Sequence, residues 1–136
     1  MTTKKLEKKL TLQDFLAPAL SDEPTKLFIQ LDGKATKEYL LVICSNHKDL
    51  KRPLMKFGME SNKLKAQVND IEDEIDRLVE YQEGEKPLDQ ELASKMVVGW
   101  SLGTFNDALI NKLLDGNDAL IKGIQSQSYT DADYIK

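Results

Sequence analysis

The sequence holds one cysteine, one histidine and one tryptophan among 136 residues. Cys44, being alone, excludes an internal disulfide and a thiolate metal cluster. His47, equally alone, excludes a zinc or two-histidine iron site built within one chain. Apolar stretches are short, and none approaches the ~20 residues needed to cross a bilayer, so no membrane partner is expected. The opening residues are lysine-rich without an apolar core, unlike a secretory signal. A formal net charge of −4 runs against a dedicated nucleic-acid binder. What is present, 40% apolar and 31% charged residues, lies in the globular range.

The length predicts one domain over residues 1–125, followed by a polar, mobile tail at 126–136. Residues 1–12 form a lysine-rich arm or weak helix, with Leu6 and Leu10 on one face, and Asp14-Phe15-Leu16-Ala17-Pro18 reads as a helical turn stopped by proline. A β-hairpin is expected over 26–44, turning at Asp32-Gly33, with the apolar end of its second strand buried on both faces.

A single long helix is expected over 46–83, capped by Ser45 or Asn46 and ended by Gly84 and Pro87. Leu50, Leu54, Phe57, Ser61, Leu64, Val68, Ile71, Ile75 and Leu78 alternate in steps of four and three, a heptad seam. Beyond it lies a compact helical cluster over 88–125. It contains a helix from Asp89 to Gly99, Trp100, and two helices capped by Asn106 and Asn117, with Gly116 closing the first. Asp-Ala-Leu-Ile recurs at 107–110 and 118–121 as a shared helix start. The expected class is therefore α+β, mostly helical.

Catalytic chemistry finds few candidates. His47 has no serine, cysteine or acid placed for a triad and reads as a cap or surface residue. Cys44 ends an apolar strand and reads as an inert buried thiol. The acids between Asp70 and Asp76 lack the spacing of a calcium loop and read as a solvated helix face. No catalytic, cofactor or metal residue is assigned, and the protein is expected not to be an enzyme. Trp100 and Phe105 are assigned first as core anchors, with a partner-binding role for Trp100 as the sharper reading.

The charge layout is more informative. From His47 to Ala66, Lys48, Lys51, Arg52, Lys56, Lys63 and Lys65 stand against Asp49 and Glu60, a net of +4. From Gln67 to Glu85, Asp70, Glu72, Asp73, Glu74, Asp76, Glu80, Glu83 and Glu85 stand against Arg77, a net of −7. On one helix this order opposes the macrodipole, which favours acids first and bases last. A bipolar helix suits antiparallel or head-to-tail pairing with a copy of itself. Packing of the seam within one chain is the alternative.

The order of parts resembles the tail assembly chaperones of long-tailed bacteriophages. The resemblance rests on Leu-Gln-Asp-Phe-Leu at 12–16, the hairpin, the charged helix, and the stretch Leu92-Ala93-Ser94-Lys95-Met96-Val97-Val98-Gly99-Trp100-Ser101 with Phe105 and Lys112-Leu113-Leu114-Asp115 after it. It implies a non-catalytic protein that binds the helical, aggregation-prone tape-measure protein in the host cell cytoplasm. The client stays soluble until tail-tube subunits polymerise, and the chaperone is absent from the mature virion. A longer, frameshifted form recruiting the tube protein is part of the same implication, and no cofactor is. Self-association fits the bipolar charge. The expected client surface is Leu64, Val68, Ile71, Ile75 and Leu78. A structural or adaptor ring protein retained in the virion is the alternative, and a small enzyme or regulator a third class.

Overall fold

The computed structural model describes residues 9–16 and 19–135, an α+β, mostly helical chain. Lys4, Lys5, Leu6 and Lys8 of the lysine-rich arm, and the Ala17-Pro18 stop, lie outside the described residues. The helical turn α1 spans Leu12–Phe15, and strands β1 (Thr25–Leu31) and β2 (Lys34–Val42) follow as the expected hairpin. Asp32 and Gly33 both take positive φ, +53° and +79°, the conformation that a two-residue turn between twisted strands requires.

The hairpin gains a third strand that the sequence pattern does not announce. The helix expected to reach Gly99 ends at Met96. Val97–Trp100 then forms β3, antiparallel to β2, with Leu40 opposite Trp100 and Val42 opposite Val97. Two adjacent valines favour the extended state once a partner edge is present. β2 is thereby the central strand, which explains why Leu40, Val42, Ile43 and Cys44 are all buried.

The long helix of 46–83 is corrected to a helical hairpin. A 3₁₀ turn at Lys48–Leu50 leads into α2 (Lys51–Val68); the chain turns at 69–73 and returns as α3 (Glu74–Met96). The start is capped by His47, not Ser45 or Asn46: its Nδ1 accepts from the Asp49 N–H at 3.0 Å. Asp73 caps α3, its Oδ1 accepting from the Asp76 N–H at 2.9 Å, and Arg77 reaches back to donate twice to the Ile71 carbonyl. The break eases the dipole conflict at the turn, where Lys65 lies in the last turn of α2 and Asp73, Glu74 and Asp76 at the start of α3, while Lys51 and Arg52 remain in the first turn of α2.

α3 continues through Gly84 and Pro87, the expected stop. Gly84 is where the two helices close up, since a Cβ built there would sit 2.5 Å from Leu64 Cδ1. The antiparallel pairing is fixed further by Lys56 to Glu91 (2.7 Å) and by a hydrogen bond between the Ser61 and Tyr81 hydroxyls (3.3 Å).

The core joins β2 to Leu92, Ala93 and Met96 of α3 and to α4 (Asp107–Leu114) and α5 (Asp118–Ser128) through Ile110, Leu114, Ile121 and Ile124. Asn106 and Asn117 cap those helices, accepting from the N–H groups of Leu109 and Leu120, and Gly116 at φ +68° ends α4. Residues 126–135 depart from the mobile tail expected there. The Ser128 hydroxyl donates to the Ile43 carbonyl, a 3₁₀ turn spans Asp131–Tyr134, and Tyr134 is 1% exposed. Leu20 and Ile135 bridge across the two ends of the described fold.

Candidate functional site

Two apolar surfaces stand open on the helical hairpin. The first lies on α3. Its 23 residues rise about 35 Å, more than the core beneath can cover. Steps of three and four along one face run Ile75, Leu78, Gln82, Lys86, Asp89, Ala93 and Met96, with Val79 beside them. At the C-terminal end this face is buried on α4 and α5. At the N-terminal end nothing among the described residues covers it: Ile75, Leu78 and Val79 are 72%, 57% and 49% exposed. The first turns of α3 and the last of α2 thus form a projecting arm. By helical position Glu74 and Glu85 border the stripe on one side, Asp76 and Glu83 on the other.

The second surface is a groove of about 560 Å³ at the base of the arm, between α2 and the C-terminal half of α3. Phe57, Leu88 and Leu92 line it together with Met55 and Met59, which expose about two-thirds of their surface. Arg52 and Lys95 add positive charge, and the Lys56–Glu91 pair crosses it. That pair holds the lysine pKa above its ordinary value, by the hydrogen bond first and the charge second.

A smaller, polar hollow of about 490 Å³ lies between α3 and α5. Asp89 sits there, its carboxyl pushed up by desolvation, eased by a hydrogen bond from Gln125 (3.2 Å) and raised again by Glu85. Among the described residues no group of three or more His, Cys, Asp or Glu is placed to hold a metal ion.

The five sequence-predicted contact residues separate. Leu64 and Val68 turn inward against α3, and Ile71 is half-buried at the turn under Arg77. Only Ile75 and Leu78 present a free apolar surface. Trp100 and Phe105 are half-buried against the core, edge to face at 5.2 Å, with the indole N–H donating to the Thr104 carbonyl. Cys44 is buried, and burial is the main cause that pushes its thiol pKa up. Seam reasoning missed Met55, Met59 and Val79. The methionines are four apart, one helical turn, and off the seam, which was the available signal.

No helix among the described residues is long and apolar enough to cross a membrane. Comparison with family models, with curated proteins and with solved structures finds no match.

Proposed function

We propose that this protein is a phage tail assembly chaperone that binds the tape-measure protein non-catalytically, holding it soluble in the host cell cytoplasm and leaving before the virion matures. The observation that carries the reading is the open, methionine-lined groove between α2 and α3. An amphipathic client helix lays its apolar face into such a groove, gaining roughly 25 cal/mol per Å² of apolar surface buried. Unbranched methionines adapt to varied side chains, which suits a client presenting many similar helical faces in succession. Arg52 and Lys95 at the rim, with Glu60 and the Lys56–Glu91 pair, keep the complex hydrated, and the small positive excess favours acidic flanks on the client. Recruitment of tail-tube protein, by a longer frameshifted form, belongs to the same proposal.

Co-expression with the tape-measure protein tests it. The client's soluble fraction rises with this chain and falls again with the Met55→Glu, Met59→Glu double variant, which leaves a folded chaperone because both side chains are exposed. A client that is equally soluble alone, or unaffected by the double variant, overturns the reading. Stoichiometric recovery of the chain from purified virions favours instead a retained ring or adaptor protein.

A further inference from the structure

We infer that the arm's apolar stripe, Ile75, Leu78 and Val79, receives the N-terminal segment of a second copy of this chain, centred on Leu12, Phe15 and Leu16. Both sets have the spacing i, i+3, i+4, so each forms one narrow apolar face. Both are open in the single chain: Leu12, Phe15 and Leu16 are 77%, 71% and 59% exposed while the stripe is bare. The segment therefore does not cover its own arm, and the pairing runs between copies.

Charge selects this occupant over a generic apolar helix. Lys4, Lys5, Lys8 and Lys9 precede the segment, opposed in sequence only by Glu7 and Asp14. The Asp14 carboxylate accepts from both the backbone N–H and the hydroxyl of Thr11, and the stretch as a whole keeps an excess of two positive charges. The arm is of the opposite sign: across residues 62–83, Asp70, Glu72, Asp73, Glu74, Asp76, Glu80 and Glu83 stand against Lys63, Lys65 and Arg77, a net of −4, and the Arg77 guanidinium is turned to the Ile71 carbonyl. Among the described residues, only Glu83 of these acids has an ion-pair partner, Lys86. Donor and acceptor surfaces occur in the same chain, so exchange between two copies forms the contact twice, as a two-fold dimer does. The inference requires no client, and its surface is separate from the methionine groove.

Disulfide trapping tests it on the full chain, with Phe15→Cys in one tagged copy and Leu78→Cys in a differently tagged copy. Cys44, 2% exposed, stays out of the reaction. A mixed-tag disulfide is expected at ~50 mM salt and is suppressed at ~500 mM, where the screening length falls from roughly 14 Å to about 4 Å. Leu78→Glu, at an exposed site, weakens self-association about tenfold or more by placing a charge in an apolar contact, while near-UV circular dichroism stays unchanged. The inference is overturned by absence of the mixed-tag disulfide, or by an intrachain disulfide when both cysteines are placed in one dilute chain. A light-scattering mass that Leu78→Glu leaves unchanged overturns it too.

Discussion

Tyr134 ties the end of the fold to its central strand with one hydroxyl. It donates to the Val42 carbonyl at 2.8 Å and accepts from the Thr25 hydroxyl at 3.0 Å. Tyr134→Phe keeps the ring and removes both bonds, so urea unfolding is expected to show a loss of about 1–2 kcal/mol, with the slope unchanged. Asp89 has the opposite sense. Burial in the polar hollow raises its carboxyl above the ordinary value of 3.8, so the folded state favours the protonated form. Its stabilising contribution is full below 3.8 and is lost as pH rises through the folded-state value. Asp89→Asn keeps an acceptor for Gln125 without the buried charge. The variant is expected to be more stable than the parent at neutral pH, with the difference closing as pH falls through the acid window, read by thermal melts across pH.

Among the elements, α3 carries an internal proline that removes one backbone hydrogen bond, to the Glu83 carbonyl. The helix survives because its first half packs on α2 and its second on α4 and α5. Pro87 itself is exposed, so Pro87→Ala restores the bond without disturbing packing and is expected to stabilise by about 1–3 kcal/mol, measured by urea unfolding. Loss of stability would show instead that the arm's direction depends on the proline. The same element explains what sequence reading could reach. Asn106, Asn117 and Asp32-Gly33 act within three residues of themselves, so their caps and turn were legible. The turn at 69–73 was hidden because apolar residues stay in heptad phase across it, from Val68 through Ile71 to Ile75. The charge reversal at Gln67 was the visible sign, since bases ending one helix and acids starting the next suit both dipoles at the turn. β3 and buried Tyr134 depend on β2, a partner distant in sequence, and no local pattern of four residues signals that.

Across the whole molecule, the hairpin separates two tasks along its length. Arg52, Lys56 and Lys95 sit at the base with Glu60 and Glu91, lining the methionine groove; Asp70, Glu72, Asp73, Glu74 and Asp76 sit at the tip with the bare stripe. The main core cluster draws on α3 only from Leu92 onward and on none of residues 62–83, whose one buried apolar side chain, Val68, packs within the hairpin. Replacing residues 62–83 by a short glycine-containing turn should therefore leave the sheet, α4 and α5 intact. Cooperative thermal unfolding and the near-UV signal of Trp100 are expected to persist. Salt-sensitive self-association should disappear with the stripe, while groove-dependent solubilisation of the client should remain, because Met55, Met59 and Leu88 lie outside the excised segment. A shortened chain that unfolds without cooperativity would show that the arm helps to hold the core. One that stays folded and still self-associates would move the contact between copies to the base.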